Sequence, residues 1–372
     1  MKKKWEIARL GKLCSISSGE SDTQDATADG KYAFFDRSKT VKRSSRFLYD
    51  CETLIVPGEG REFLPRHFKG KFDLHQRAYA LFDFSPTLDV RFLYHFLHHR
   101  ADYFPGVAVG ATVKSLRRRH FENLDVPVPP LSEQRRIVDL LDAAFQGTAI
   151  AKANTEKNRQ SVGVLFENHV RSVFGQSGAK WVKKPLGVVA DVQSGGTPSV
   201  PQKAFWNGNI PWYSSGELNE VYTRESERKI SVLGLDNSNA KLFPKGSLLI
   251  GMYDTAALKM SILDRDGAFN QAIAGLRPNE RVEAEFVLHA INAIKPRLLL
   301  ERRGVRQKNL SLGKIKEIQI PLPGVVEQRA VVSALQKVKS ETGRLAIICE
   351  RKLAALDSLK KSLLHQAFSG AL

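Results

Sequence analysis

Apolar residues recur at alternating steps of four and three through the end of the chain, at Val331, Leu335, Val338, Leu345, Cys349, Leu356, Leu359 and Leu363, with Thr342 and Lys352 as polar members of the stripe. A matching stripe runs earlier through Ile137, Leu141, Ala144, Ala151, Val162 and Leu165, with Thr148, Thr155, Asn158 and His169 in the polar places. This heptad spacing predicts two long helices, roughly 131–174 and 325–368, each with a narrow apolar seam that needs a partner. Both follow a Pro-x-Pro stop and carry an acid, Glu133 or Glu327, in the first turn. Gly147, Gly163 and Gly343 argue against unbroken rods. Ahead of each helix the pattern changes. Short apolar runs such as Thr53-Leu54-Ile55-Val56 and Ser247-Leu248-Leu249-Ile250, cut by Gly, Pro and Asn turns, read as strands. Short helices are predicted near 90–99 and 284–294.

The two halves match each other. Pro127, Glu133, Gln134 and Arg135 map onto Pro321, Glu327, Gln328 and Arg329 at an offset of 194, which also takes Phe92 to Phe286, His95 to His289, Leu116 to Leu310 and Phe174 to Phe368. Near the start the offset is 176, from Trp5 to Trp181 and from Ser18-Gly19 to Ser194-Gly195, so the second copy carries about 18 extra residues in its front half. So many landmarks in register indicate a tandem duplication. The expected organisation is a globular domain over 1–126, a helical region over 127–178, a second globular domain over 179–320 and a helical region over 321–372. The fold class is α+β: two α/β domains separated by two long antiparallel helices, an intramolecular coiled coil, with a pseudo-twofold internal repeat. The other partner open to each helix is its own lobe.

Charge narrows the function. There are 57 Lys and Arg against 39 Asp and Glu, a net charge of +18, and the pI is about 9.8. Such an excess points to a polyanion. No stretch is apolar for long enough to span a bilayer, and Met1-Lys2-Lys3-Lys4-Trp5 followed by Glu6 does not resemble a signal peptide, so a cytoplasmic location is expected. Cys14, Cys51 and Cys349 are scattered and read as free thiols of a reducing compartment.

Catalytic patterns are missing. The only Pro-Pro pair, Pro129-Pro130, lacks the polar residue before it and the aromatic after it that a base-binding methyltransferase loop needs. No phosphate-cradling Gly-x-x-x-x-Gly-Lys-Ser/Thr loop occurs. His95, His98 and His99 could place two imidazoles one turn apart, but the second copy has His289, Asn292 and Ala293 there, so a solvated helix face is the better reading than a metal site. The chain is expected to be no enzyme and to hold no metal or cofactor.

Several clusters suit DNA. In the first lobe Arg37, Ser38, Lys42 and Arg43, the turn Pro57-Gly58-Glu59-Gly60-Arg61, the run His75-Gln76-Arg77 and the triplet Arg117-Arg118-Arg119 are candidate contacts. In the second they are Gly195-Gly196-Thr197, Tyr213-Ser214-Ser215, Asn270-Gln271, Arg306 and Lys308. Cations bind phosphates without reading sequence, whereas Arg, Gln and Asn can pair bidentately with base edges. Gln76 and Gln271 correspond at an offset of 195, so a structural role tying the same strand end in both lobes competes with base contact. On the helices Glu133, Gln134, Arg135, Leu141, Glu327, Gln328, Arg329, Leu335 and Leu356 are candidates for the spacer and for docking other subunits.

Two unlike domains, each followed by Pro-x-Pro-x-x-x-Glu-Gln-Arg and a long helix, resemble the specificity subunit of type I restriction–modification enzymes. Phe34-Phe35-Asp36-Arg37-Ser38 and Gly70-Lys71-Phe72-Asp73-Leu74-His75-Gln76-Arg77 look like one type of target-recognition domain, and Ser194-Gly195-Gly196-Thr197-Pro198 with Phe269-Asn270-Gln271-Ala272-Ile273-Ala274 looks like another. The ending Leu364-His365-Gln366-Ala367-Phe368-Ser369-Gly370 also fits; Tyr253-Asp254-Thr255-Ala256 departs from the Gly-rich run that related domains often carry. The resemblance implies that each lobe reads half of an interrupted, asymmetric double-stranded DNA target, with half-sites about 10 bp apart. It implies docking of two modification methyltransferase subunits, which bind S-adenosylmethionine, and of motor–nuclease subunits that use ATP and Mg. The alternatives are the recognition subunit of a modification-only or phage-defence system, or a DNA-modifying enzyme in its own right.

Overall fold

The computed structural model describes residues 5–176, 181–303 and 310–372. The chain divides into two compact units, Met1–Glu156 with Glu350–Leu372, and Lys157–Cys349. Among the described residues no helix is long and apolar enough to cross a membrane.

The first unit opens with β1 (Glu6–Arg9), which pairs antiparallel with β8 (Asp125–Val128). Between them lie β2 (Ser15–Ser18), β3 (Tyr32–Phe35), β4 (Lys42–Ser44), β5 (Tyr49–Pro57), β6 (Arg66–Leu74) and β7 (Ala78–Phe82), forming one sheet in the order β2-β7-β5-β6-β3-β4. Only the β3–β6 pairing in this sheet is parallel. The central strand β5 alternates its side chains, as a strand buried on both faces must. Leu54 and Val56 join the larger core with Phe92, Phe96 and Phe121, while Ile55 faces Phe35, Phe72 and Leu74 on the other side. Helix α1 (Val90–His99) begins at Asp89, whose carboxylate accepts from the amides of Arg91 and Phe92. Two short helices follow, α2 (Tyr103–Val107) and α3 (Arg118–Glu122), and then the long α4 (Leu131–Gln176).

The second unit repeats this plan. Its strands are β9 (Lys183–Pro185), β10 (Val192–Ser194), β11 (Trp206–Tyr213), β12 (Arg228–Ile230), β13 (Leu248–Gly251), β14 (Met260–Ile262), β15 (Ala268–Phe269), β16 (Ile273–Leu276) and β17 (Gln319–Pro321). They form sheets in the orders β10-β16-β13-β14, β12-β11-β15 and β17-β9. Short helices α5 (Leu186–Val189) and α6 (Val232–Asp236) precede α7 (Ala284–Arg303), which continues past the expected 294 with Pro296 inside it. After α8 (Leu312–Glu317) comes the second long helix, α9 (Val325–Phe368). On β13 Leu248 and Ile250 enter one core and Leu249 another, the alternation of β5 at an offset of 194.

Both long helices run unbroken through their glycines; a Cβ at Gly147, Gly163 or Gly343 would meet nothing within 4 Å. Each unit holds the front of one long helix and the rear of the other. In the first unit they are antiparallel neighbours: Arg136 reaches the carbonyl of Leu372, Lys360 lies 4.9 Å from the Phe145 ring, and Lys152 pairs with Asp357. Phe368 stacks edge-on to Phe92 at 5.2 Å. In the second unit Phe174 meets Phe286 at 5.1 Å, the same pair 194 residues apart in each partner. The two expected partners for each helix, its own lobe and the other helix, are therefore both used.

The seam departs from the heptad in the rear halves. Leu165 and Leu359 are about half exposed, and Phe166, Val170 and Leu364 are turned inward instead. The distance from Ile137 to Phe166, from Leu141 to Val170 and from Leu335 to Leu364 is 29 residues, eight turns of a 3.6-residue helix. A straight helix drifts about 20° per heptad, so over four heptads the inward face advances by one position.

The Glu-Gln-Arg glutamine ties each long helix to its lobe. Gln134 accepts from the Asp89 amide at 2.8 Å and donates to the carbonyls of Thr87 and Pro129 at 2.8 and 2.7 Å. Gln328 accepts from the Glu283 amide at 2.9 Å and donates to the carbonyls of Arg281 and Pro323 at 3.0 and 2.9 Å. Both side chains are fully buried, so an amide that satisfies three main-chain groups is the residue that fits.

About two turns further along, the two units differ. Asp142 on α4 receives Arg91 and His95, each at 2.8 Å. At the corresponding place Gln336 on α9 donates to Glu285 at 2.9 Å, and Glu285 also accepts from Tyr222 and faces His289. The acid has moved from the long helix to the short one.

Candidate nucleic-acid interface

In the first unit three turns converge. Gly58 donates to the Arg77 carbonyl at 2.8 Å and Gly60 to that of Lys114 at 3.0 Å, which stitches the 57–61 turn to the 75–77 and 114–116 segments. A Cβ at Gly58 would sit 2.6 Å from the Arg77 oxygen, and Gly60 has φ +134°, so both positions require glycine. Glu59 lies at the junction, largely shielded. It holds Arg77 at 2.8 Å, Ser115 at 3.3 Å and Arg37 at 3.8 Å. Asp36 is buried and collects Lys42 at 2.7 Å together with the amide and hydroxyl of Ser38 at 2.8 and 2.6 Å. Burial opposes ionisation there, but the bonds from Lys42 and Ser38 win and hold the carboxyl below its ordinary range.

His75 is inside rather than on the reading surface: its Nδ1 accepts from the Arg77 amide at 3.0 Å and its Nε2 lies 3.5 Å from Asp22. Asp22 is held below the usual carboxylate range by the Thr23 amide first and by His75 and Gln76 in support. Ser38 is likewise consumed by its own turn. Exposed are Arg37, Arg43, Arg61, Gln76, Arg77, Arg117 and Arg119, of which Arg37 and Arg77 lie against Glu59 and Gln76 donates to Asp22. Arg118 is tied to Glu122 at 2.8 Å.

In the second unit the structure brings Gly195, Gly196, Thr197 and Gln271 together with Asn239 and Lys241 around an open depression of about 520 Å³. A Cβ at Gly195 would lie 2.1 Å from the Phe269 oxygen and one at Gly196 2.2 Å from the Asn239 carbonyl carbon; here close backbone approach demands glycine. Thr197 bonds Gln271 as Asp22 bonds Gln76. Each glutamine thus makes one tie within its lobe and leaves the rest of its amide in solvent. Tyr213 is a correction: the side chain is buried, with its hydroxyl donated to the Arg224 carbonyl at 3.0 Å, and it cannot reach a ligand. Ser214 and Ser215 are half-buried at the start of a single 3-10 turn, and Asn270 accepts from the Ala272 amide at 3.1 Å to cap its own turn. Arg306 and Lys308 lie outside the described residues.

The helix residues separate into two groups. Gln134, Gln328, Leu141 and Leu335 are buried within their units and present nothing to a partner. Glu133 pairs with Arg136, Glu327 accepts from Trp181 at 3.0 Å, and Arg329 lies 3.5 Å from Glu283. Arg135 is exposed and Leu356 half-buried. The His95 face is also a correction: it is not solvated. His95 is 2% exposed, and burial drives the His98 imidazole down to about 4. His99 stacks on Phe368 at 5.4 Å.

Sequence reasoning missed Glu59 as a hub, the main-chain clamp of Gln134 and Gln328, and Trp206 and Arg228. The spacing of Trp206 and Trp212 was not a usable signal for the last, because the pairing register shifts between Trp206 and Ile210 and only the folded strand shows the two indoles together.

Two stretches, residues 2–158 and 179–348, match the family model described as the type I restriction modification DNA specificity domain. The chain is similar to the EcoDI specificity subunit of Escherichia coli, 24% identical over 414 aligned residues that span 99% of this chain and 88% of that one. It is also similar to the MjaVIII specificity subunit of Methanocaldococcus jannaschii, 21% identical over 98% of this chain and 92% of that one. Among solved structures, a chain from work on complex assembly and conformational transition of the type I R-M system shares the fold with a TM-score of 0.72 at 18% identity, covering 100% of this chain and 99% of that one. The HsdS subunit of Thermoanaerobacter tengcongensis does so with a TM-score of 0.66 at 17% identity, covering 99% and 97%.

Proposed function

The chain belongs to the type I restriction–modification DNA specificity family, and from that premise we propose how it works as a specificity subunit. It is a non-catalytic subunit that reads an asymmetric, bipartite double-stranded DNA target, one half with each unit. The observation that carries this reading is the duplication with unequal readers. The helix-start clamp is built twice from the same main-chain positions, while the loops beside it differ: Glu59 gathers arginines in the first unit, and a polar depression with Gln271 stands in the second.

The exposed cations Arg43, Arg61, Arg117 and Arg119 supply phosphate contacts that position DNA without reading it. Arg37, Gln76, Arg77, Thr197 and Gln271 stand at the turns where base edges would be met. Gly58, Gly60, Gly195 and Gly196 let the backbone approach. The chemistry belongs to partners: two modification subunits that bind S-adenosylmethionine and methylate adenine, with motor–nuclease subunits using ATP and Mg. Arg135 and Leu356 are the exposed and half-exposed helix positions offered to them. These complexes work in the cytoplasm, where DNA is.

Methylome sequencing of cells carrying the intact system tests the reading. The expected result is one interrupted motif with different halves, lost on deletion of this chain. A continuous or palindromic motif, or a motif unaffected by the deletion, contradicts it.

A further inference from the structure

Trp206 and Trp212 point from one face of β11, ring centres 5.2 Å apart and nearly perpendicular. Arg228 on the neighbouring strand β12 sits opposite Trp212 in the ladder. Its guanidinium carbon lies 3.6 Å from the Trp206 ring centre and 5.3 Å from that of Trp212. The first distance is stacking contact, which holds a planar guanidinium flat and leaves its N–H edge outward. Both indoles are themselves fixed: Trp206 donates to the Ser199 carbonyl at 3.2 Å and Trp212 to that of Gly196 at 3.0 Å. The arginine is thereby tied to the same Gly195–Ser199 turn that borders the candidate reading surface. Among the described residues no carboxylate is bonded to it, unlike Arg77.

Arg228 opens into a depression of about 790 Å³ that is also lined by Lys203, Asn207, Glu225, Glu227 and Lys229. Glu225 is paired with Lys229 at 3.1 Å. Three cations against two carboxylates leave one positive charge. A phosphate entering here meets Glu225 and Glu227, whereas a neutral base edge rich in acceptors meets a pre-aimed fork of donors. We propose that the Trp206–Arg228–Trp212 cradle is a base-reading site of the second unit and that its ligand is the O6/N7 edge of a guanine. The proposal rests on the DNA-reading function given above.

The test uses the full chain assembled with its modification subunits, in competition binding to duplex DNA randomised across both half-sites. Wild-type protein is expected to show a guanine preference at one position of the half-site read by the second unit. R228K keeps the charge and loses the planar fork; R228A loses both. Each should reduce that preference about ten- to a hundredfold while every other position keeps its pattern. W206F, which retains a ring, should reduce it less than R228K. An unaltered preference in R228K and R228A overturns the proposal, as does an equal loss of affinity for all sequences, the behaviour of a phosphate contact. A wild-type complex with no bipartite preference takes down the specificity reading and this proposal together; a normal wild-type pattern insensitive to Arg228 takes down only the latter.

Discussion

In the first unit an arginine is aimed by a carboxylate: Arg77 rests 2.8 Å from Glu59. In the second, Arg228 is aimed by two indoles and bonds no described carboxylate. Below these readers the two units are nearly superimposable in logic, with the glutamine clamp, the Phe92–Phe368 or Phe174–Phe286 contact and the alternating central strand recurring at one offset. The contrast teaches where variation is tolerated. The glutamine clamp and the aromatic contact that hold the lobe on its helix are repeated, and groups that face solvent are free to use different chemistry. The choice has consequences, because DNA must compete with Glu59 for Arg77, whereas an aromatic face does not compete.

The largest effect is expected where the units are alike. Gln134→Ala and Gln328→Ala each leave an amide and two carbonyls unpaired in the interior, a loss of about 2–4 kcal/mol. Hydrogen exchange at the Asp89 and Glu283 amides should rise by similar factors in the two variants; a strongly unequal response breaks the equivalence of the clamps.

Acid should separate the units. The His98 pKa of about 4 lies below the ordinary 6.5 because the ring is buried. Above pH 6.5 it contributes no pH dependence. As the pH falls from 6.5 toward 4 the unfolded chain binds a proton that the folded one refuses, so the first unit loses stability, by about 2–3 kcal/mol at pH 4. His95 and His99 are shifted in the same direction by burial. Asn292 stands where His98 does in the other copy. His98→Asn should therefore flatten the pH profile of the first unit, followed by limited proteolysis or exchange; an unchanged profile means the ring does not govern it.

Smaller effects concern DNA. Alanine at Arg117, Arg118 and Arg119 together should weaken binding to all sequences alike and lower the salt slope by about 2 rather than 3, since Arg118 is already paired with Glu122. Selective loss on one half-site contradicts this. Glu59→Gln should release Arg77 and Arg37 and raise general affinity about two- to fivefold, with weaker discrimination in the first half-site. No change in affinity would mean that the carboxylate does not compete.

Much of the frame was readable from residues alone. The offset of 194, the helices at 90–99, 131–174 and 325–368, and the strands around Leu54 and Leu248 follow from periodicity and turn chemistry, which are local. The inward shift from Leu165 to Phe166 was not readable, because a heptad and a 3.6-residue helix differ by only one position after four repeats. Tyr213 and His75 looked like surface groups because polar tips say nothing of burial. Gln134 gave no hint of its partners, since Thr87 and Asp89 lie more than 40 residues away and contribute only backbone atoms.

That last feature reaches beyond stability. A joint whose three contacts on the lobe and the proline turn are all peptide groups is a socket indifferent to the identity of what is plugged into it. For this clamp a lobe need bring only one amide and one carbonyl to the right places, since the second carbonyl comes with the proline turn of the helix itself, so recombination can exchange the reading head while the glutamine mount stays as it is.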